Sequence, residues 1–463
     1  MPKKAVAIYF ISAFIGAALF VYFTFPRTKE DIPHSNNQRG FPTEPQRAPD
    51  APPIPRADPQ TSLAPIPKGP ALLVLAWASG KDAKVLQARL DAFTASTGRA
   101  VQLTMEGDPA TYAQELQQAL ASATPPDVCL IDARDFSGLD PAHDLAPAIA
   151  PIETVPRCVE AFTVSGFLKA VPTEFSVDVL FYNPALFDRV GLAYPGKHWN
   201  WDILEADSRA ISSLHLTDAS GQPIYALEMA PDFDLWNVLC AQAGHPALDL
   251  DLWHIADPKA YNAQERGLNL IHQFYQDLAI TAPLPKSGET FGRYFASQQA
   301  TMLVASSEMA ATLSGFPFVL TYLPNDLTRA SLARVNGWAI PAKSTRQEAA
   351  RSLATYLARQ PVHAGWCGVV KPTAEDTPEA ICFDSLSQAL LPRIGPTSAP
   401  MAQFLDKQMN LLAQPASREK PEAMLALIQK TFRDGISTAP VQADQPAAAA
   451  ISPALPAPSG RAR

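Results

Sequence analysis

The chain lacks any cluster of lysine and arginine, and its 37 basic residues are outnumbered by 45 acidic ones, a net charge of -8. Nucleic-acid binding needs concentrated basic surface, so the composition excludes nucleic acid as a partner. Cysteine is also scarce. Cys129, Cys158, Cys240, Cys367 and Cys382 lie far apart and are odd in number, which gives neither a disulfide framework nor zinc-ligand spacing. Cys367 with Cys382 is one pairing open to an oxidising compartment; separate buried thiols is the reading preferred. The catalytic motifs are missing as well: no His-Glu-x-x-His, no Gly-x-Ser-x-Gly and no phosphate-cradling glycine loop. Ser417-Arg-Glu-Lys420 has Ser-x-x-Lys spacing but sits beside proline, with no Lys-Thr-Gly partner. The expectation is a protein that is not an enzyme and carries no cofactor.

Apolar length is not lacking. Residues Ala5 to Phe25 contain no charge and follow Lys3 and Lys4. At about 1.5 Å per residue, such a helix matches a hydrocarbon core of about 30 Å. The lysines favour an N-terminus left in the cytoplasm, with the rest exported. A cleaved signal peptide is the rival, but the run ends in Tyr22-Phe23-Thr24-Phe25-Pro26 without a small-x-small site, and no lipid-accepting cysteine follows closely. Residues 1–25 therefore read as a cytoplasmic N-terminus and one transmembrane helix in a cell inner membrane, leaving the remainder facing the periplasm. Proline, 45 in all, is concentrated in the segment 26–70, which is expected to be an extended linker. The Ala/Pro-rich tail 437–463 is expected to be disordered too.

Between them, 71–436 patterns as an α/β unit. Ala71 to Trp77 is a buried-strand run, followed by a helix with Val85, Leu86, Leu90 and Phe93 inside and Gly98 as its stop. A strand Ala100 to Met105 precedes a helix opened by Asp108-Pro109, with Tyr112, Leu116 and Leu120 inward; Val128 to Ile131 is the next strand. Strand–helix–strand–helix–strand implies a parallel sheet wrapped by helices. Farther on, Lys169 to Pro172, Val177 to Asn183, Ala300 to Ala305 and Asn336 to Pro341 read as strands. Thr345-x-x-Glu348 reads as a capping box before Ala349, Leu353 and Leu357, and Met424, Leu427, Ile428 and Phe432 mark a last amphipathic helix.

The order of these segments resembles the family 1 extracellular solute-binding proteins, whose best-known relatives bind maltose and other oligosaccharides. The carrying pieces are LVLAWASGKDAKVLQARLDAFTASTGRAVQL, ATYAQELQQALASATPPDVCLIDARD, LKAVPTEFSVDVLFYNPALFDRVGL with AYPGKHWNWDIL, DLWNVLCAQAG, RYFASQQATMLVASSE and VNGWAIPAKSTRQEAARSLATYLA. The resemblance runs from about 71 to 436. It implies a two-lobed periplasmic-binding-protein-like fold of type II, each lobe a mainly parallel sheet flanked by helices. A cleft would close on a small solute about a hinge. The implied lobes are roughly 71–172 plus 307–345 and 183–306 plus 346–436, with crossings near Pro172 to Asn183 and Ser306 to Ser314. The implied function is capture of a sugar or related solute for the permease subunits of an ABC importer. The alternative is a membrane-tethered receptor or sensor subunit without transport.

A sugar presents apolar C–H faces and a ring of hydroxyls, so its site needs aromatic plates with carboxylates or amides. In open α/β sheets these groups gather at the carboxyl ends of strands. Trp77, Asp82 and Asp132 hold such positions, Asp82 equally as a helix cap. Glu174, in Thr173-Glu174-Phe175, is placed by the resemblance at the lobe crossing, as either a ligand carboxylate or an exposed hinge residue. Trp236 aligns with a sugar-stacking tryptophan of relatives; otherwise it faces inward with Leu235 and Leu239. Ser307 follows the Ala-Thr-Met strand, and Gly337-Trp338 opens the next one, Trp338 either stacking on solute or packing beneath the hinge. Trp199, Trp201 and Trp366 are assigned to packing.

Overall fold

A computed structural model describes residues 56–57 and 69–435, apart from 137–138, 152, 278–279, 287–288, 375–376, 396–397 and 416. The apolar segment 5–25, most of the proline-rich segment and the tail from 436 lie outside the described residues. Among those described, no helix is long and apolar enough to cross a membrane.

The first five elements follow the sequence pattern. Strand β1 (Leu72–Trp77) leads into helix α1 (Gly80–Thr97), which buries Leu86, Leu90 and Phe93 and ends on Gly98 at φ 69°. Val85, expected inside, is exposed at 42% and faces solvent. Strand β2 (Val101–Glu106) and helix α2 (Pro109–Ala121) follow; Asp108 caps α2 by accepting from the Thr111 N–H at 2.9 Å. Strand β3 (Val128–Asp132) then pairs parallel to β1, as β2 does on the other side. Asp127 pins this sheet. Its carboxylate accepts from the Leu73 N–H at 2.8 Å, from Ser344 Oγ at 2.7 Å and from Arg346 Nε at 2.9 Å.

Two long strands then carry the chain between two halves. Strand β4 (Ala170–Tyr182) is continuous through 13 residues, where the sequence suggested two pieces. Its partner on one side, β7 (Ser331–Ala339), is antiparallel to both β4 and β3; on the other, β6 (Ala300–Ser306) is antiparallel to β4 and parallel to β5 (Tyr225–Glu228). The sheet thus runs β2-β1-β3-β7-β4-β6-β5. Pro172 cannot donate to a ladder, and the β4–β7 register shifts opposite it, between Asn336 and Gly337. Strand β7 begins at Ser331, earlier than the predicted Asn336.

Two large apolar cores flank this spine. The first gathers β1, β3, β4 from Ala170 to Phe181, and helices α1 and α2. The second gathers Leu180 and Tyr182 of β4 with helices α3 (Trp201–Ser213), α4 (Phe233–Gln242), α5 (Tyr261–His272) and two more near the C-terminus, Ala399–Ala413 and Pro421–Asp434. The later helix α6 (Gln347–Leu357) packs Ala349, Leu353 and Leu357 into the first core. The stretch from 346 to about 391 therefore sits with the first half, where the sequence division had put it with the second. The predicted capping box is not formed either. Arg346 occupies the N-cap without a side-chain bond, because α6 starts beyond Thr345 and the nearby Ser344 hydroxyl is engaged by Asp127.

Candidate functional site

One polar cluster joins the two cores, and a second lies within the first half. The first is built around Arg134, just past β3, and Arg334 on β7. Arg134 Nη1 lies 2.6 Å from Asp234 Oδ2, and Arg334 Nη2 lies 3.2 Å from the same oxygen. Arg334 Nη1 reaches Asp178 Oδ1 at 3.1 Å. Asp132 turns back to accept from the Arg134 N–H at 2.8 Å. Arg134 follows residues of the first core and Asp234 stands in the first turn of α4 in the second, so their ion pair joins the two halves.

Burial shapes the charges here. It disfavours ionisation of Asp234, but Arg134 and Arg334 more than offset it and hold the carboxyl below its ordinary value. Asp132 and Asp178 are instead pushed up by burial, and Asp135 rises to about 6 for the same reason, reinforced by Asp132. Glu308 also rises, to about 7, mainly through burial, and it feels the charges of Arg334, Asp132, Asp178 and His363. Carboxylates thus outnumber guanidinium groups in this cluster, and in all of them but Asp234 burial prevails and favours the protonated form.

The raised Glu308 value has a consequence for stability. Between its unfolded value of 4.5 and about 7, the folded protein retains a proton that the unfolded chain releases, so stability falls as pH rises through that window. Glu308→Gln removes this cost. The variant is expected to be more stable than wild type at pH 8 by on the order of 2 kcal/mol, an advantage that vanishes near pH 4. Urea unfolding at the two pH values measures it; an equal difference at both contradicts the assignment.

The second cluster centres on Glu174, fully buried on β4. Its carboxylate accepts from His363 Nδ1 at 2.5 Å, from the Val362 and His363 N–H groups at 2.5 and 3.0 Å, and from Asn336 Nδ2 at 2.8 Å. Burial opposes charge on both partners. Their mutual attraction overcomes it, lowering Glu174 and raising His363 from their ordinary values. The other His363 nitrogen, Nε2, lies 3.1 Å from the Trp77 carbonyl oxygen, and the rings of Trp77 and His363 stack at 3.8 Å and 21°. Asp82 accepts from the Ala364 N–H at 3.3 Å. Trp77 is only partly buried, with one face covered by the imidazole.

The sequence-derived residues therefore separate. Trp77 ends β1 and Asp132 ends β3, while Asp82 lies in the first turn of α1 beside the second cluster. Glu174 is at the crossing as expected, but as an enclosed structural node and not an exposed hinge residue. Ser307 is buried, its hydroxyl accepting from the Val177 N–H at 3.2 Å. Gly337 allows a close approach: a Cβ there would stand 2.6 Å from the Phe162 ring. Trp236 and Trp338 need correction. Both are completely enclosed, Trp236 in the second core with Nε1 donating to the Gln264 carbonyl at 3.1 Å, and Trp338 in the first core. Neither offers a face to a solute. Trp199 and Trp201 pack as assigned. Sequence reasoning missed His363, Arg134, Arg334, Asp178 and Asp234, and it marked Ser307 where the adjoining Glu308 carries the charge. Arg134, Asp234 and Glu308 carried a local signal, lying next to strand and helix ends already marked.

Comparison with known proteins agrees with this architecture. The family model for bacterial extracellular solute-binding proteins matches residues 88–372, more than half the chain. No curated protein sequence gives a significant match. Among solved structures, the ABC substrate-binding protein Lmo0181 from Listeria monocytogenes, in complex with cycloalternan, is 19% identical, with a TM-score of 0.64 over 79% of this chain and 99% of its own. A cyclo/maltodextrin-binding protein complexed with maltotetraose is 16% identical, with a TM-score of 0.65 over 80% and 99%. UgpB from Mycobacterium tuberculosis, in complex with glycerophosphocholine, is 19% identical, with a TM-score of 0.60 over 80% and 98%. At these identities the likeness is one of fold, the two-lobed periplasmic-binding-protein-like α/β architecture. The family match goes further: this chain belongs to the bacterial extracellular solute-binding proteins.

Proposed function

We propose that the chain captures a carbohydrate or a similarly hydroxylated small solute between its two halves and hands it to the permease subunits of an ABC importer. The observation that carries this is the meeting of a partly open aromatic plate, Trp77 on His363, with a ring of carboxylates and guanidinium groups contributed from both halves. A plate offers dispersion to sugar C–H faces. Ionised groups offer charge-assisted hydrogen bonds to hydroxyls. The ligands named for the related structures, cycloalternan, maltotetraose and glycerophosphocholine, are all hydroxyl-bearing.

Trp77, Asp82 and Asp132 are the solute contacts on one side in this reading, with Asp234 on the other and Asp178, Glu308 and Arg334 along the connecting strands. Solute entering there competes for the Arg134–Asp234 pair, so binding and the relative position of the halves are coupled. No catalytic step is assigned. Residues 5–25 would tether the protein to the membrane with the binding unit outside the cytoplasm; retention in the pellet after alkaline washing supports the tether, and release into the wash favours a cleaved leader.

A thermal-shift panel of maltodextrins, cyclic glucans, sugar alcohols, glycerophosphodiesters and polyamines tests the solute class. Any ligand that binds only the folded state raises the melting temperature. A shift with a carbohydrate or polyol supports the proposal; a shift confined to polyamines would overturn it.

A further inference from the structure

Away from the cleft, three metal-competent side chains converge on one short segment of the second half. His245, His254 and Asp257 each offer one ligand atom, and these atoms all lie within 4.8 Å of one another. His245 Nε2 is 3.5 Å from Asp257 Oδ2, and the two imidazole rings meet edge to face at 4.8 Å. A simple imidazole–carboxylate pair accounts for two of these groups. It does not account for a second imidazole turned onto the first, nor for all three being partly buried. Tetrahedral zinc, with bonds of about 2.0–2.2 Å, spaces its ligands at roughly 3.4 Å, so the carboxylate and one imidazole already stand at coordination spacing. Modest side-chain rotation closes the remainder.

The backbone beneath these residues is fixed before any ion arrives. His245 N–H donates to the Cys240 carbonyl at 3.0 Å, His254 N–H to Ala247 at 2.8 Å and Asp257 N–H to His254 at 3.0 Å. Buried Asn237 on α4 holds the intervening turn, accepting from the Ala247 and Leu248 N–H groups at 2.8 and 2.9 Å. Gln264 Nε2 donates to the His254 carbonyl at 3.0 Å. His245 follows the C-terminal end of the ten-residue helix α4, where the helix dipole favours a cation.

From this convergence we infer that His245, His254 and Asp257 bind one divalent transition-metal ion of the borderline class that takes imidazole nitrogen and carboxylate oxygen, zinc being the representative. Its remaining positions are left to water. The segment between the ligands is the hairpin pairing Leu248–Asp249 with Leu252–Trp253. That hairpin reaches the first half of the molecule: Asp249 lies 3.4 Å from Arg157, and Asp251 lies 2.9 Å from Arg393, which also donates to the carbonyls of Glu160, Ala161 and Thr163. The ion would fasten the base of a clasp between the two halves.

The test is zinc chloride titrated into the purified chain without a polyhistidine tag, read by competition with a chromophoric chelator. One zinc per chain is expected, with affinity falling at least about tenfold in His245→Ala and in His254→Ala, and unchanged in His198→Ala, which removes an exposed imidazole. Should the two histidine variants fail to fold, zinc-edge X-ray absorption of the wild-type complex still decides; two imidazole nitrogens with oxygen at about 2.0–2.2 Å are expected. The inference is overturned by no zinc binding to the wild type, by binding that survives both substitutions in folded protein, or by a sulfur-ligated spectrum.

Discussion

Glu174→Ala is expected to destabilise the folded protein by about 3–5 kcal/mol, the largest single-residue effect proposed here. The change removes the acceptor shared by His363 Nδ1, Asn336 Nδ2 and two backbone N–H groups, all in an enclosed site. Buried donors left without partners bear the full cost of lost solvation. Glu174→Gln retains a carbonyl oxygen and should lose less. The pH dependence separates the ion pair from the hydrogen bonds. Because His363 is raised above 6.5 on folding, its contribution is complete below that value and is lost as pH climbs through the folded value. Because Glu174 is lowered from 4.5, its contribution is complete above that value and is lost as pH falls through the folded one. The gap between wild type and Glu174→Gln in urea unfolding should therefore be widest between about pH 4.5 and 6.5 and narrow on the alkaline side. A gap that is flat or widens there contradicts the pairing.

Trp77→Ala should act on binding more than on stability. The ring is partly exposed and rests on His363, so its loss removes the plate without opening a deep cavity. Aromatic anchors at binding sites are commonly worth about 2 kcal/mol or more, which corresponds to roughly 30-fold in affinity. Calorimetric titration with whichever carbohydrate raises the melting temperature checks this. Trp236→Phe is the informative contrast, since its ring is enclosed in the second core against Gly267 and donates to Gln264. It should weaken the fold and leave affinity within about twofold. The reverse outcome, with Trp236 controlling affinity and Trp77 not, would restore the assignment drawn from the family resemblance.

The contrast between those two tryptophans shows where sequence was informative. Local signals served well wherever local chemistry determined structure. Asp108 before Pro109 caps α2, Gly98 ends α1 in the left-handed region, and the apolar runs of β1 and β3 become parallel neighbours. They failed where distant partners decide. Thr173-Glu174 interrupts an apolar pattern and suggested a break between two strands, yet β4 continues through it because His363, 189 positions away, neutralises the carboxylate. Arg334 similarly obscured the start of β7 until Asp178 and Asp234 were seen to pair with it. The Thr345-x-x-Glu348 spacing was present, but long-range bonds to Asp127 set the local geometry. Trp236 followed a family pattern whose side-chain use differs here, since every residue of α4 except Asp234 is buried.

The solute-capture account turns on whether the two halves move together around a bound carbohydrate. Small-angle X-ray scattering of the purified chain, with and without the panel of maltodextrins, cyclic glucans and sugar alcohols, measures this directly. Closure of the cleft predicts a smaller radius of gyration that saturates with at least one of these solutes and is absent in Trp77→Ala at the same concentration. A saturable carbohydrate complex with no change in dimensions would contradict hinge closure, and no response of any kind to the panel would contradict carbohydrate capture itself.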